Sequence, residues 1–405
     1  MVRQQLPPQI KKITVTDRKT RKAVVRYQVT VDAGQNPQTG KRQQVRRRYL
    51  NEKQARDALA EITQQVATDA FVPRKDVTVE ELCGDWLASL HNARQTTING
   101  YAYCLAPLRE QHGHLAAQKL TRPDLDKLLI ALRDGGSKTA KGHTRRAWSS
   151  RSLNAAIDAW RLVLAYGCER RELAHNAAAS MKKVARDHAE MQTYTPAEIR
   201  AVLRAADTDR NGHLWYLALS GLRRGEIAGL RWSDIDFKKG TINVARSRVE
   251  LGGGPTTVVE NEPKTASSRR TLPLDEGLIT VLRRASVRYA EERLALGEAH
   301  AYSGYVACNE AGQPYTPGAV THMWRKLAKT ADVRPIRLHD ARHSCGTALH
   351  LRGVPLAVIA KWLGHADPSI TARIYAHSQD RIYAHSQDEA LRDAAKTLSS
   401  VVTSS

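Results

Sequence analysis

Cysteine is scarce and unpatterned. The five residues Cys83, Cys104, Cys168, Cys308 and Cys345 are an odd number, widely separated, with no CxxC pair, which excludes a zinc ribbon or a disulfide framework and predicts reduced thiols. No stretch approaches the roughly 18 apolar residues that a membrane helix needs. The opening MVRQQLPPQIKK lacks the apolar core of a secretory signal, so no membrane partner is expected and the expected location is the cytoplasm, in association with the nucleoid. Phenylalanine occurs only twice against seven Trp and thirteen Tyr, leaving the apolar work to Leu, Ala, Val and Ile, a bias that suits helices. Acidic residues are also in deficit: 41 Asp and Glu face 63 Lys and Arg, a net charge of +22. Such a surface attracts polyanions and makes nucleic acid the default partner.

The 405 residues are enough for two or three domains at about 150 residues each. Residues 1 to 75 hold 17 of the basic residues and 6 of the acidic ones, half of the total excess. Within them Lys12 to Thr16, Lys22 to Val31 and Arg42 to Tyr49 read as three strands of a small antiparallel sheet. A helix capped by Asn51 follows, with Ala55, Ala58, Leu59, Ile62 and Val66 covering one sheet face. The other face and the hairpin tips are expected to carry Lys41, Arg42, Arg46, Arg47 and Arg48, a basic surface that can enter a DNA groove as strands. The first domain is placed at residues 1–70, with a linker over 71–78. A helical bundle is predicted at 79–185, with helices near 79–92, 97–111, 122–133 and 150–166. The Gly-rich loop before its last helix offers Lys138, Lys141, Arg145 and Arg146 to phosphate, or is simply solvated. A second linker at 186–194 leads to a mixed, mostly helical domain at 195–405, opened by the capping box of Thr195 and Glu198. The fold class is mainly α with small β-sheets, that is, α+β.

The last domain holds four clusters with chemistry in them. SGLRRGE contains Arg223, PKT contains Lys264, LHDARH contains His339 and Arg342, and LGH contains His365; Tyr375 stands ten residues beyond His365. Singly each has a plain explanation, for example Arg223 and Glu226 as a surface ion pair worth about 0.3 kcal/mol. Together they supply what attack on a phosphodiester without a metal requires. Two guanidinium forks, Arg223 and Arg342, can clamp the non-bridging oxygens as charge builds on them. His339 and His365 can donate hydrogen bonds or move a proton, and Lys264 can protonate the departing oxygen. The Tyr375 phenol can act as nucleophile where positive charge favours its phenolate.

With these residues in order, the sequence resembles the tyrosine recombinases of the phage-integrase type over nearly its whole length. GLRRGEIAGLRWSDID is similar to that family's first Arg box, PKTASSRRTLPL to its Lys hairpin, LHDARHSCGT to its His-x-x-Arg box and LGHADPSITARIYAH to its His-to-Tyr segment. Ser220 stands where Thr is common. The resemblance assigns the first catalytic Arg to Arg223 rather than Arg224. It also implies an N-terminal arm-binding sheet, a helical core-binding domain and a catalytic domain. By the same resemblance Tyr375 forms a 3′-phosphotyrosyl enzyme with no cofactor and no metal. The partners it implies are double-stranded attachment DNA of core and arm types, a homotetramer on DNA, a host DNA-bending protein and an excisionase. A C-terminal segment, EALRDAAKTLSSVV, is expected to be exchanged between neighbours.

One feature departs from that pattern. RIYAHSQD occupies Arg373 to Asp380 and again Arg381 to Asp388, so Tyr383 is a second nucleophile candidate. Tyr375 keeps the familiar distance from His365 and is favoured. Other readings stay open: a DNA-binding protein disabled by the repeat, a conjugative-transposon integrase, a type IB topoisomerase, and a metal enzyme using His339, His343 and His365. The last is disfavoured because Asp340 replaces the Glu of an HExxH helix and Arg342 would sit beside the ion.

Overall fold

A computed structural model describes residues 5–16, 22–35, 42–67, 77–185, 191–252, 257–261, 269–365, 367, 369, 371 and 372. Lys41, Lys264, Tyr375, Tyr383 and the tail from residue 373 lie outside them. The chain divides into two compact units, Met1–His188 and Ala189–Ser405. It is mainly helical with small antiparallel sheets.

In the first unit, β1 (Ile10–Thr16), β2 (Ala23–Gln35) and β3 (Arg42–Tyr49) form an antiparallel sheet in chain order. Helix α1 (Glu52–Ala67) follows, and Asn51 starts it by accepting a 2.9 Å hydrogen bond from the Gln54 N–H. Ala55 and Ile62 of α1 close over Ile10, Val29 and Val31. Because side chains alternate across a strand, the register decides which cations share the open face. Gln28 pairs with both Lys11 and Arg48, Thr30 with Arg46, and Arg26 with Ile13. Lys11, Arg26, Arg46 and Arg48 therefore lie on one face. Arg47 pairs with the buried Val29, which puts it on the helix-covered side, contrary to the expectation from sequence. Arg42 is tied to Asp32 by a 2.6 Å ion pair where a bulge shifts the register.

A second apolar cluster of the same unit is built by α2 (Val79–Ala88), α3 (Gln95–His112), α4 (Arg122–Asp134) and α5 (Ser150–Glu169). Glu81 and Thr78 close a capping box at the start of α2, and the Asp124 carboxylate accepts from the Thr121 N–H and hydroxyl at the start of α4. Trp160, Leu105, Leu108 and Leu125 are fully buried between the four helices.

The second unit begins with α6 (Pro196–Asp207), capped by Thr195 and Glu198, then α7 (Gly212–Leu219) and α8 (Arg224–Gly229). Strands β4 (Ile235–Asp236) and β5 (Thr241–Val244) follow, and after them the hairpin of β6 (Ser247–Leu251) and β7 (Thr257–Asn261) and then β8 (Arg270–Pro273). β4, β5 and β8 make one sheet, and β6–β7 is a separate two-stranded one. The sequence pattern indicates two strands joined at Lys239-Gly240, which are β4 and β5, and one near 269–274, which is β8; the two additional strands are β6 and β7, whose SRVEL and TVVEN pair across a Gly-rich connection. The buried Arg248 of β6 donates a 2.8 Å hydrogen bond to the Tyr315 carbonyl. Helices α9 (Glu276–Leu296), α10 (Pro317–Thr330), α11 (Leu338–His350) and α12 (Leu356–Leu363) complete the unit. Trp215 and Trp324, with ring centroids 5.8 Å apart, sit at the centre of its core. No described helix is long and apolar enough to cross a membrane.

Candidate active site

Three short segments of the second unit meet around two arginines. Helix α7 ends at Ser220, whose hydroxyl donates to the Tyr216 carbonyl at 2.8 Å, so a Ser performs the capping here. The chain then turns through Gly221 and Leu222 to Arg223, the N-cap residue of α8. Glu226, three residues on, accepts from the Arg223 N–H at 2.8 Å and from its guanidinium at 2.7 Å. Arg342 projects from the middle of α11 and is wholly buried. That helix is started by Asp340, which accepts from the Arg337 backbone and guanidinium.

The end of α12 brings the two guanidiniums together. A helix C-terminus leaves carbonyls without intrahelical donors and carries partial negative charge. Arg342 donates to the Leu363 carbonyl and, at 2.7 Å, to that of Gly221. Arg223 donates to the Gly364 carbonyl at 2.7 Å. Consecutive carbonyls thus hold one guanidinium each. Gly364 has φ +63° and turns the chain out of the helix, with the His365 N–H donating back to Ala360 at 2.9 Å. A side chain at Gly364 would be strained by that φ and would come within 3.0 Å of the Arg270 guanidinium.

His365, delivered by this turn, is fixed by a 2.7 Å hydrogen bond between its Nδ1 and the hydroxyl of the buried Thr371. Burial, then the Arg342 and Arg223 cations, push its pKa down to about 4. His339, one turn before Arg342, is lowered by the surrounding protein and then by Arg342, though its side chain still opens to solvent. Its ring meets that of His343 edge-on, centroids 4.8 Å apart, and burial followed by His339 pushes His343 to about 4. Neutral imidazoles crowded by cations mark a site short of negative charge.

Below this surface lies a buried ion pair that the sequence did not single out. Arg270 of β8 grips Glu226 with two 3.0 Å hydrogen bonds and donates to the Trp362 carbonyl at 2.7 Å. Burial alone would raise the Glu226 pKa, but Arg270 and Arg223 hold it down to about 2. Glu226 therefore positions Arg223 while its own charge is matched by Arg270.

The structure accordingly brings Arg223, His339, Arg342 and His365 to one place. Arg224 points away, exposed, and donates to the Thr321 hydroxyl. Lys264 and Tyr375 lie outside the described residues, and the last described residues, Thr371 and Ala372, precede Tyr375 by four and three positions. Glu226, Arg270 and Thr371 are additions to the sequence-based set, which held His343 only as a candidate metal ligand. The first stood in the sequence as an ion pair with Arg223, whereas the partnership of Arg270 depends on pairing across 44 residues. Among the described residues no three His, Cys, Asp or Glu side chains converge as metal ligands. Of the outlying cations, Lys138, Lys141 and Arg146 are exposed. Arg145 is instead engaged at 2.8 Å by Glu110.

Residues 192–381 match the phage integrase family. A XerC-like tyrosine recombinase of Caldanaerobacter subterraneus subsp. tengcongensis is 32% identical over 56% of this chain and 63% of its own length, just under two thirds. The ICEBs1 integrase of Bacillus subtilis is 24% identical over 87% of this chain and 93% of its own. The fold is similar to that of the Tn1549 transposon integrase in complex with a circular intermediate DNA, with a TM-score of 0.61 and 18% identity over 80% of this chain and 99% of that one. The two guanidiniums and the imidazoles lie within residues 192–381, and that part of the chain is a phage-integrase-family domain, the domain of tyrosine-type recombinases.

Proposed function

We propose that this recombinase integrates or excises a mobile element by attack of Tyr375 on a scissile phosphate. The observation that carries the reading is the pair of guanidiniums held on consecutive carbonyls of residues 363 and 364. They are spaced by backbone, not by flexible side chains, so they are preorganised for the charge of a pentacoordinate phosphate. Arg223 and Arg342 take the non-bridging oxygens. With the Thr371 hydroxyl donating to its Nδ1, the neutral His365 ring presents an Nε2–H to the same oxygens, and His339 stands ready to accept the phenol proton. The Tyr375 oxygen bonds to phosphorus as the bond to the 5′ oxygen breaks, and Lys264 gives that oxygen a proton. The covalent 3′-phosphotyrosine conserves the bond energy until the 5′-hydroxyl of the partner strand attacks it, so the cycle requires no ATP.

In the same reading residues 1–70 bind arm-type DNA, 79–185 bind core DNA and 195–405 carry the chemistry. Linkers occupy 71–78 and 186–194. The enzyme works as a homotetramer on two duplexes in the bacterial cytoplasm, at the nucleoid, with a host DNA-bending protein and an excisionase setting direction. The resemblance of the whole chain supports these assignments. The carrier is a phage or a conjugative element, and both fit the residues equally.

Incubation with a nicked duplex bearing the element's own junction sequence, in EDTA, traps any covalent adduct for peptide mapping by mass spectrometry. An adduct on Tyr375 is expected. One on Tyr383 would move the nucleophile to the second copy of RIYAHSQD. Tight binding without any adduct would favour the second reading, a recombinase that the repeat has disabled.

A further inference from the structure

The segment between α4 and α5 is more ordered than a solvated loop has reason to be. Gly136 donates to the Arg145 carbonyl at 2.8 Å, Arg145 to Ser137 at 2.7 Å and Thr139 to His143 at 2.9 Å, with Lys138 bridging Thr144. These bonds make a two-stranded ribbon closed by a turn at Gly142. Its base is tight: Gly135 has φ +77°, and a Cβ there would meet the Ala147 nitrogen at 2.6 Å. Two anchors hold it to the bundle. Trp148 is buried in the apolar cluster, and Arg145 is ion-paired to Glu110 of α3 with only 12% of its side chain exposed.

What the ribbon presents is charge of one sign. Residues 136 to 147, GSKTAKGHTRRA, contain four cations and no carboxylate. The anchor neutralises one. Lys138, Lys141 and Arg146 are exposed, and among the described residues none of the three is paired with a carboxylate. Beside the base stands Tyr103, 60% exposed and stacked on Trp148 at 5.1 Å with the rings 7° from parallel. Tyr103 and Glu110 are seven residues apart on α3, two turns along one face, so the anchor and the aromatic lie on the same side of that helix.

We infer that residues 136–147 are a preformed DNA-contacting ribbon, in which Lys138, Lys141 and Arg146 meet phosphates and Arg145 is the tether that aims them. A two-stranded ribbon fits the roughly 12 Å major groove of B-DNA. The Glu110 tether removes conformational freedom that the ribbon would otherwise lose on binding. The inference rests on the reading of residues 79–185 as the core-binding part.

The test measures binding of the full-length protein to a junction duplex, and to an unrelated duplex, as a function of salt. Each phosphate contact contributes about 0.9 to the slope of log K against log salt. The triple variant Lys138→Ala, Lys141→Ala, Arg146→Ala should therefore lose about 2 to 3 from the slope while keeping its melting temperature. Arg145→Gln should weaken binding at an unchanged slope. An unchanged slope in the triple variant, with the wild type binding well, overturns the ribbon as a DNA contact. A slope lowered by about 1 in Arg145→Gln overturns its role as a tether. Failure of the wild type to prefer the junction duplex would instead overturn the core-binding reading itself.

Discussion

The two arginines of the site differ in burial, and truncating them should separate catalysis from folding. The Arg223 side chain is 32% exposed, and its loss leaves Glu226 with Arg270 still gripping both carboxylate oxygens. The Gly364 carbonyl loses a donor that water can replace. Arg223→Ala should thus change stability by under about 1 kcal/mol, while removing one transition-state donor costs about 3 kcal/mol, or ~150-fold in rate. Arg342 is fully buried. Arg342→Ala strands the Gly221 and Leu363 carbonyls, at about 1–3 kcal/mol each, and adds a cavity term. A loss of about 4 kcal/mol in a unit of this size lowers the melting temperature by on the order of 10 °C. Single-turnover adduct formation on the nicked junction duplex gives the rates, and thermal melting gives the stabilities. Cleavage by Arg223→Ala within about threefold of wild type would remove that residue from the chemistry. A melting point for Arg342→Ala equal to that of Arg223→Ala would refute the argument from burial.

Arg270→Ala removes the two-pronged partner of the buried Glu226, leaving it only the partly exposed Arg223, and takes the donor from the Trp362 carbonyl, so it should cost about 2–3 kcal/mol; a loss under about 1 kcal/mol in denaturant titration would show that water reaches the pair. His213 is buried with its Nε2 at 3.1 Å from the Val306 carbonyl, and burial pushes its pKa down to about 4. The unfolded chain, near its ordinary 6.5, then binds more protons than the native one between those values, so stability is complete above pH 6.5 and falls by about 3 kcal/mol as pH drops to 4. His213→Gln should flatten that part of the melting curve against pH, and a curve parallel to wild type would count against it. Deleting residues 1–70 removes the open sheet face with Lys11, Arg26, Arg46 and Arg48, and should abolish protection of distal sites on attachment DNA while leaving the core protected. An unaltered footprint would rule out an arm-binding sheet.

Sequence exposed the site where its chemistry is local. The Gly-Leu-Arg turn before α8, the His and Arg one turn apart on α11, and the Gly-His at the end of α12 are each legible, because a cap, a helical period and a left-handed glycine are short-range facts. Helix starts are legible for the same reason, marked by Thr78 and Thr121 in the bundle and by Thr195 at the first helix of the second unit. What could not be read was the layer beneath. That Glu226 serves Arg270 as well as Arg223 depends on β8 bringing Arg270 to α8, and that Arg223 and Arg342 rest on neighbouring carbonyls depends on where α12 ends. Strand parity set the other limit. Arg46, Arg47 and Arg48 look equivalent as a basic run, yet alternation must turn the middle one toward α1 once Val29 is known to be its partner, and that pairing is fixed by burial of Ile10, Val29 and Val31 rather than by the arginines. Arg145 and Arg146 make the same point on the ribbon, where adjacent cations face opposite ways and only one meets Glu110. Charge runs in this chain therefore overstate the number of DNA contacts by those cations that the fold spends on holding itself in shape.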